Sequence, residues 1–528
     1  MKGSFRQSMA WLHTGSGLVF GWLLFAVFFA GTIAVFRTEV DYWMRPELHM
    51  AHPGPGAIDL AQSTLAKLAP DALRWSIELP TPRSPTLRVS WSLEQGKRPQ
   101  SSYIDAAGQA VVPRDTAGGT MIYRFHYGLL LGLTGMWFVG ALGMAMLVGL
   151  VTGVITHAKI IKDFFTFRPR ASPQRAWLDA HNVSAVMVLP FSFMIAYSGL
   201  VIWWFIWMPA GWQVAYGGNR GAFFADIAQQ GTENPTRAAA TAPLVRLASL
   251  PPLAKNAVSH MPDVRSIAVN DPGRGSSRVD IVRVDSDSMW GGSDRLRFDG
   301  TNGTLLTRIE ETGPPWYVAF RVFRIIHEIK FADPLVRWLY FIMSAISCAM
   351  IATGTVLWSV KRRARHVTLL RQSVSRPLTQ FWADAGNVGI IAGLCTATLA
   401  YFWANRLIPA ALSGRAGLET AVFFTVWALS LMAAFVEIAA RRKALGNAVS
   451  AQRVLRRLWA RHWMVAAVLA FLLPVIDQLS VEGIGQALRT ADELVLGFHA
   501  TVLIAGSAMA AAAWISSRSP EGRASLRR

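Results

Sequence analysis

Charged residues are scarce in this sequence. Only 16% of its 528 residues are charged and 52% are hydrophobic, whereas about 25% of the residues of a soluble protein are charged. This composition excludes an ordinary soluble enzyme. A helix crosses a bilayer with about 20 apolar residues, and seven uncharged runs approach or exceed that length. They are Ser16–Phe36, Tyr127–Thr156, Asn182–Trp212, Trp338–Val360, Ala385–Asn405, Thr420–Val436 and Leu494–Ser517.

Cysteine is nearly absent. Cys348 and Cys395 are the two cysteines of the chain, and both fall inside predicted helices. Two isolated cysteines exclude a disulfide scaffold, a CxxC redox motif and an iron–sulfur cluster. Free cysteine behaves as a small apolar residue that is usually buried, and we interpret both residues in this way.

Acidic residues are outnumbered by basic ones, with 32 Asp and Glu against 52 Lys and Arg. The basic excess lies beside the apolar runs, in residues 157–180, 361–376 and 441–461 and in the tail after Arg518. Lys and Arg that flank membrane helices mark cytoplasmic segments. We therefore interpret the charge as a topology signal and not as a nucleic-acid-binding surface. The large segments 37–125 and 213–325 then lie outside.

The same charge distribution requires one further helix. The short segments 406–418 and 477–493 must also lie outside, and the second of them is acidic. A crossing through the short run Trp463–Ile476 satisfies this requirement. The predicted topology has eight helices with both ends cytoplasmic. The first helix is expected to be an uncleaved anchor, because no A-x-A site follows it.

The two large outside segments have the sequence patterns of small α+β domains. Alternating polar and apolar residues predict strands, and Ala107-Gly108 and Asn302-Gly303 predict turns. The predicted strands are Pro85–Leu93, Ser102–Val112, Ser277–Val284 and Arg295–Leu306, and the predicted helices are Ala61–Leu73 and Ala242–His260. The order helix, outside domain, helix occurs twice, which indicates a weak internal duplication.

These patterns predict an all-α polytopic membrane protein with two small α+β domains outside the membrane. The predicted parts are a first helix (1–36), an outside domain (37–125), helices two and three with a cytoplasmic loop (126–212), a second outside domain (213–326), helix four (327–365) and a C-terminal four-helix extension (381–528). The extension has tight connections and no large outside segment.

Five of the eleven histidines lie at the ends of the first four helices. His13 precedes the first helix, His126 and His157 flank the second, His181 opens the third, and His327 precedes the fourth. An imidazole near the membrane is costly without a partner and indicates a functional site. The topology places His126 and His327 on the outer side and the other three on the cytoplasmic side. His126 and His157 are separated by about 46 Å along a straight helix, so they cannot bind the same ligand.

Two layers of imidazoles on different helices predict two b-type haems stacked across the membrane. Two axial histidines on each iron suit electron transfer, because no coordination position stays open for O₂, and helix bundles commonly hold such cofactors. The outer haem is assigned to His126 and His327. Three histidines compete for the inner haem. We favour His13 and His181, with His157 left to hydrogen-bond a haem propionate.

Glycines in the first two helices would give a flat macrocycle room between helices, although close helix packing explains them equally well. They are Gly15, Gly17, Gly21, Gly31, Gly128, Gly132, Gly135, Gly140 and Gly143. Arginines of the first cytoplasmic loop are candidates for binding propionates, but such residues are more often topology markers. They are Arg168, Arg170 and Arg175.

The remaining histidines carry weaker predictions. We expect five of them to be solvated, namely His49, His52, His260, His366 and His462. His499 lies inside the last helix near its outer end, without a histidine partner in the extension. It is a candidate for contact with a quinone.

Motifs across roughly residues 1–365 resemble those of the PepSY-associated transmembrane proteins. The most specific stretch runs from Thr156-His157 to Ser198-Gly199 and includes Arg168-Pro169, Asp179-Ala-His181-Asn182 and Leu189-Pro190-Phe191. The resemblance also includes His13 with Gly17, Arg324-Ile-Ile-His327, and Gly354-Thr-Val-Leu-Trp358 followed by Lys361-Arg362-Arg363. It implies a bacterial inner-membrane protein with periplasmic PepSY-like domains that acts as a haem-containing reductase of ferric siderophores.

The histidine pattern and the resemblance together predict a transmembrane b-type dihaem oxidoreductase. Electrons from quinol or a cytoplasmic reductase would cross the membrane and reduce a periplasmic ferric siderophore or other ferric chelate. Iron would then be released as Fe(II), because the hard oxygen donors of a siderophore prefer Fe(III). An external electron donor is required, since Gly273-Arg-Gly275 lacks the third glycine of a dinucleotide-binding motif.

Two other functions are compatible with part of the sequence. One is a transporter or permease that binds metal or protons through its histidines, but proton relays in membranes usually use carboxylates, which these helices largely lack. The other is a non-enzymatic PepSY sensor or peptidase regulator. That function gives no reason for histidines on both sides of the membrane.

Overall fold

A computed structural model describes residues 4–54, 56–157, 164, 166–169, 172–227, 240–257, 264–284, 293–310, 315–370, 378–441 and 448–518. The chain divides into two compact units. The helical unit comprises Met1–Met44, Asp115–Leu200 and Trp338–Arg528, and the sheet unit comprises Arg45–Arg114 and Val201–Arg337. Three residues named above, Arg170, His260 and the side chain of His366, lie outside the described part.

The described helices are numbered here in chain order. They are α1 (Phe5–Ala34), α2 (Arg37–Trp43), α3 (Ala57–Leu68), α4 (Gly118–Gly128), α5 (Gly132–Thr156), α6 (Pro173–Ile202), α7 (Trp204–Trp207), α8 (Ala210–Ala215), α9 (Arg220–Ile227), α10 (Leu250–Ala257), α11 (Pro315–Glu328), α12 (Pro334–Leu370), α13 (Leu378–Asn387), α14 (Gly393–Leu407), α15 (Arg415–Ala440), α16 (Ala448–Val481), α17 (Gly483–Thr490) and α18 (Glu493–Ser517). A π-helical turn, Val388–Ala392, joins α13 to α14. Two 3₁₀ turns are Pro46–Leu48 and Leu247–Ser249.

Eight of these segments are long and apolar enough to cross a membrane, which confirms the predicted number. They are α1, α5, α6, α12, α13 joined to α14, α15, α16 and α18. The short run Trp463–Ile476 is the apolar part of α16, which continues through Pro474 to Val481. The run is short because basic residues occupy the first turns of this helix.

The most buried of these segments is α13 joined to α14, whose most apolar stretch is 89% buried. It packs against α15 and α16. Small residues make this possible, since a Cβ on Gly389 would come 2.5 Å from the backbone of Leu431, and one on Gly393 would come 2.7 Å from Ser430. Glycine at such positions lets helix backbones approach closely in a membrane.

The predicted second helix, Tyr127–Thr156, is wrong at its start. The chain breaks between α4 and α5, where Leu129 and Leu130 take the left-handed conformation with φ of 50° and 59°. This conformation is costly for residues other than glycine, and an apolar leucine run gives no sign of it. The break brings α5 close to the end of α4, because a Cβ on Gly135 would overlap the carbonyl oxygen of Gly128.

The sheet unit is built on one antiparallel sheet of eight strands. The strands are β1 (Arg74–Glu78), β2 (Leu87–Ser92), β3 (Gln100–Ile104), β4 (Ala110–Val111), β5 (Val264–Asn270), β6 (Arg278–Val284), β7 (Ser293–Asp299) and β8 (Leu305–Glu310). Their order is β4-β3-β2-β1-β5-β6-β7-β8. Each of the two outside segments therefore contributes four consecutive strands. They meet where β1 pairs with β5 and Ile77 lies opposite Ile267.

This pairing explains why two similar segments form one sheet. A four-stranded half would expose the backbone groups of β1 or β5 at its edge, and pairing removes both edges. One face of the joined sheet carries a continuous apolar core. It contains Leu65, Trp75, Ile77, Leu87, Val89, Ile104, Leu247, Leu250, Ile267, Val279, Ile281, Leu296 and Phe298. The segments before the two halves are linked by Gln62, which bonds the backbone of Val245 and Leu247.

Several predicted elements of this unit are confirmed and one helix is displaced. Pro85–Leu93 and Ser277–Val284 contain β2 and β6, and the segment Ser102–Val112 contains β3 and β4 on either side of its turn. The segment Arg295–Leu306 contains most of β7 and the start of β8, with the predicted Asn302-Gly303 turn between them. The predicted helix Ala61–Leu73 is displaced toward the N-terminus, to α3. The last residues of the predicted helix lead into β1. This strand has only five residues, and the alternation of polar and apolar residues over so short a stretch did not predict it.

Candidate functional site

Two of the predicted histidines face each other in the helical unit. The ring centres of His13 and His181 are 6.2 Å apart, and the ring planes make an angle of 58°. Both residues lie inside helices, and the expectation that His13 precedes the first helix is wrong. Helix α1 begins at Phe5, because Ser4 and Gln7 form a capping box that starts it about two turns before His13.

The backbone of a neighbouring helix fixes each of these two rings. Nδ1 of His13 lies 2.9 Å from the carbonyl oxygen of Gly149 on α5, and Nδ1 of His181 lies 2.9 Å from that of Met350 on α12. A carbonyl oxygen can only accept, so Nδ1 carries the hydrogen. In a neutral imidazole Nε2 then has a free lone pair. Histidines that bind metals commonly donate the other ring N–H to a backbone carbonyl in this way, which fixes the orientation of the ring.

A glycine stands four residues after each accepting carbonyl. A Cβ on Gly153 would come 3.2 Å from Cε1 of His13, and a Cβ on Gly354 would come 3.1 Å from Cε1 of His181. These glycines let the rings lie against the helix backbone. Gly17, one turn after His13 on the same face of α1, has open space where its Cβ would be.

The same arrangement occurs a third time, at His126. This residue lies in the last turn of α4, and its Nδ1 is 2.8 Å from the carbonyl oxygen of Val27 on α1. Gly31 follows Val27 by one helical turn, and a Cβ there would come 2.8 Å from both Cε1 and Nδ1 of His126. The recurring unit is thus a donated Nδ1–H, an accepting helix carbonyl and a glycine one turn later.

Helix α1 passes both levels of the site, and the spacing of residues along it gives their separation. It carries His13 near its start and Val27, the partner of His126, 14 residues later. This spacing corresponds to about 21 Å along the helix axis. The length of about 46 Å expected between His126 and His157 is wrong, because the chain between them is two helices with a break. The two levels are nevertheless distinct.

His327 lies in the sheet unit, in the last turn of α11. Sequence spacing gives it a place equivalent to that of His126. His126 precedes Gly149 by 23 residues, and His327 precedes Met350 by the same number. Likewise Gly31 follows His13 by 18 residues, and Gly199 follows His181 by 18. The internal duplication therefore extends to the spacing of the histidines, the carbonyls that accept from them and the glycines.

Two of the arginines predicted as candidates for binding propionates have a carboxylate partner. Arg168 and Arg175 pair with Asp179 at 2.9 and 3.0 Å, and the side chain of Asp179 is 1% exposed. Both arginines thus neutralise a buried carboxylate two residues before His181. His157 is the first residue after α5 and lies within electrostatic range of His181.

Two histidines that we expected to be solvated are not. His49 is 4% exposed, because it follows the 3₁₀ turn Pro46–Leu48 into the interior of the sheet unit. His462 lies within α16, where its ring nitrogens are 3.0 Å from the carbonyl oxygen of Leu458 and 3.2 Å from that of Ser430. His52 is exposed, as predicted.

Sequence reasoning missed a buried polar network in the C-terminal extension. Arg406 pairs with Asp477, and Arg415 pairs with Glu419, with all four side chains fully buried. Asn405 bonds to Glu419, and His499 lies 2.9 Å from Asp477 and 3.3 Å from the indole nitrogen of Trp43. The available signal was the position of these charged residues beside apolar runs, which marks functional positions in membranes.

Comparison with protein families gives one match. A family model described as the PepSY-associated TM region matches residues 10–361. The match includes most of α1, all of α2 to α11 and most of α12, and thus His13, His126, His157, His181 and His327. A search of curated proteins gives no match.

Proposed function

Because the chain belongs to the family of PepSY-associated transmembrane proteins, we propose that it is a dihaem oxidoreductase that reduces a ferric chelate. It is a multi-pass membrane protein, for which we propose the bacterial inner membrane, with the sheet unit in the periplasm. The acceptor is a ferric siderophore or similar chelate. The donor is quinol or a cytoplasmic reductase.

The observation that carries the proposal is that three histidines share one arrangement of hydrogen bond and neighbouring glycine. His13, His126 and His181 each donate Nδ1–H to a helix carbonyl and each lie beside a glycine. A histidine with only a packing role in a membrane also needs a hydrogen-bond partner. Such a role does not require three histidines to have the same partner geometry. With the hydrogen on Nδ1, the lone pair of each neutral ring lies on Nε2, the nitrogen with which such a histidine would bind a metal.

The inner pair also has a separation that fits one metal ion between two rings. Imidazole nitrogens bind transition metals at about 2 Å, so two rings on opposite sides of an ion have centres about 6 Å apart. The observed distance between the ring centres of His13 and His181 is 6.2 Å. Two imidazoles suffice for haem, because the macrocycle supplies four further nitrogens. Among the described residues no group of three or more His, Cys, Asp or Glu is placed to hold a metal ion.

The protein's own residues have the following roles in this proposal. His13 and His181 hold the inner haem, and His126 is a ligand of the outer haem. His327 stays a predicted ligand on the strength of the repeated spacing alone. The carbonyls of Gly149, Met350 and Val27 keep the ligands in the required tautomer. A buried hydrogen bond of 2.9 Å between Ser192 and Ser347 joins α6 to α12, the helices that carry His181 and its carbonyl partner Met350. Bis-histidine haem, when bound, supplies one-electron transfer without an open coordination position.

The proposal is tested by haem content and by the reduction of a ferric chelate. Purified protein should contain about two haems per chain, with the dithionite-reduced spectrum of low-spin b-type haem. His126→Ala and His327→Ala should each remove one haem, leave the other spectroscopically unchanged and abolish chelate reduction. His52→Ala changes an exposed histidine of the sheet unit and serves as the control. A protein that stays colourless after expression with ample haem would contradict the proposal and favour a transporter.

A further inference from the structure

The start of the helix that carries His126 depends on a distant carboxylate. Ala117 is the N-cap residue of α4 and makes no side-chain capping bond, and the first amides of a helix need acceptors. The hydroxyl of Thr116 accepts the amide of Gly118 at 3.2 Å. Glu419 of α15 accepts the amide of Ala117 at 3.1 Å and the hydroxyl of Thr116 at 2.6 Å, both through Oε2. A carboxylate at this end also compensates the helix dipole.

A second residue of the extension holds the same end of α4. The hydroxyl of Tyr401, on α14, donates to the carbonyl oxygen of Gly118 at 2.8 Å. On the other side Gly119 lies directly against the carbonyl of Arg37, where a Cβ would come within 2.5 Å. The start of α4 is therefore fixed between α14 and α15 on one side and α2 on the other.

The far end of α4 rests on the same helix of the extension. Phe125, next to His126, makes ring contacts with three aromatic side chains of α15, with ring centres 6.0 to 6.1 Å apart. These are Phe423, Phe424 and Trp427. One helix thus contacts α4 at its first residue and beside its histidine.

Glu419 is itself held in one position. Its Oε1 accepts from Arg415, one turn earlier, and from Asn405 at 2.8 Å. Arg415 also donates to the carbonyl oxygen of Asp115 at 3.0 Å, just before α4. The pair is fully buried. A buried ion pair is weak support for stability, and its better-attested use is to specify one arrangement of the elements that it joins.

We infer that the C-terminal extension positions His126, with Glu419 and Tyr401 as positioning residues for the outer haem ligand. They fix the rotation and depth of α4, which keeps Nδ1 of His126 on the carbonyl of Val27. That bond raises the basicity of the ligand nitrogen. The inference rests on the proposed function and gives residues 381–528 a part in it.

Two variants of the full-length, haem-loaded protein test this inference. Tyr401→Phe removes one hydroxyl, and Glu419→Gln removes the charge at the start of α4. A redox titration of the wild type should show two transitions, and the one missing in His126→Ala belongs to the outer haem. In both variants the midpoint potential of this transition should rise, because a less basic imidazole stabilises ferric iron less. The other transition should not move, and amide hydrogen exchange of residues 118–128 should accelerate.

Glu437→Gln is the matched control, since Glu437 lies on the same helix α15 and pairs with Arg441 and Arg461 away from α4. It should leave both potentials unchanged. If Glu419→Gln does not fold, Tyr401→Phe decides. Two haems with unmoved potentials in the folded variants, or equal shifts of both, would overturn the inference while the proposed function stands. A wild type without haem would overturn both.

Discussion

Nδ1 of His126 lies 2.8 Å from the carbonyl oxygen of Val27, and Gly31 stands one helical turn beyond that carbonyl. Of the three glycines beside a fixed imidazole, Gly31 has the least room. A Cβ there would come 2.8 Å from the ring, against 3.2 Å at Gly153 and 3.1 Å at Gly354. The three glycines have the same arrangement, but they differ in how much room they leave for an added methyl group.

We predict that Gly31→Ala removes the outer haem or weakens its binding at least about tenfold. Loss of the hydrogen-bond partner of a metal ligand typically lowers affinity by about 10- to 100-fold. The added methyl group displaces the ring of His126 from the carbonyl of Val27. Haem quantification and the reduced spectrum of the purified variant measure this effect. Gly497→Ala on α18 is the control, because its Cβ would meet no atom within 4 Å. Equal haem content in both variants would refute the role assigned to Gly31.

The three histidines considered for the inner haem, His13, His157 and His181, should respond differently to substitution. His13→Ala and His181→Ala should each remove the inner haem entirely, since one iron needs both imidazoles. His157→Ala should retain two haems, because the fixed pair is complete without it. Haem stoichiometry of the three variants decides among them. If His157→Ala lost a haem and His13→Ala kept it, the inner pair would have to be reassigned.

The membrane helices could be predicted from sequence because the bilayer imposes length and apolarity locally. The seven uncharged runs and the basic segments between them were sufficient to locate all eight candidate spans. The break at Leu129–Leu131 could not be predicted in this way. It depends on a left-handed backbone that close packing of Gly135 on Gly128 supports. Such packing is a tertiary contact without a local signal.

The candidate site was predictable in its residue types but not in its supporting contacts. Histidine at a helix end stands out in an apolar sequence, so His13, His126 and His181 could be selected. Their backbone partners could not, because any residue has a carbonyl and only the packed helices show which one is reached. The cap of α4 by Glu419 joins positions 302 residues apart in the sequence. Periodicity within one helix carries no information on such a pair.

Acid should weaken the sheet unit through the pair of Glu47 and Arg114, whose side-chain atoms lie 2.7 Å apart. Burial raises the pKa of Glu47, but the hydrogen bonds and charge of Arg114 lower it more, so the pKa lies below its usual value. A carboxyl group of this kind stabilises the fold above its unfolded pKa, about 4.3. That contribution is lost as the pH falls through the lower folded value.

As the pH falls below about 4.3, the free energy of local opening in the sheet unit should fall more in the wild type than in Glu47→Gln. Amide hydrogen exchange of residues 45–114 at several pH values measures this free energy. Glu94→Gln is the control, because Glu94 and Lys97 are both exposed and such pairs contribute little. Identical pH profiles of wild type and Glu47→Gln would show that the pair does not contribute.

The orientation in the membrane can be tested by labelling introduced cysteines in intact cells. The native Cys348 and Cys395 are each 7% exposed, so they should give little background with a membrane-impermeant maleimide. Lys97 lies between β2 and β3 and has an exposed side chain, as does Arg461 on α16. We predict that Lys97→Cys is labelled from outside and that Arg461→Cys is labelled only after permeabilisation. The reason is the excess of Lys and Arg around Arg461, which holds that segment in the cytoplasm. Labelling of Arg461→Cys in intact cells would reverse the orientation of α16 and exchange the sides assigned to the two haem layers.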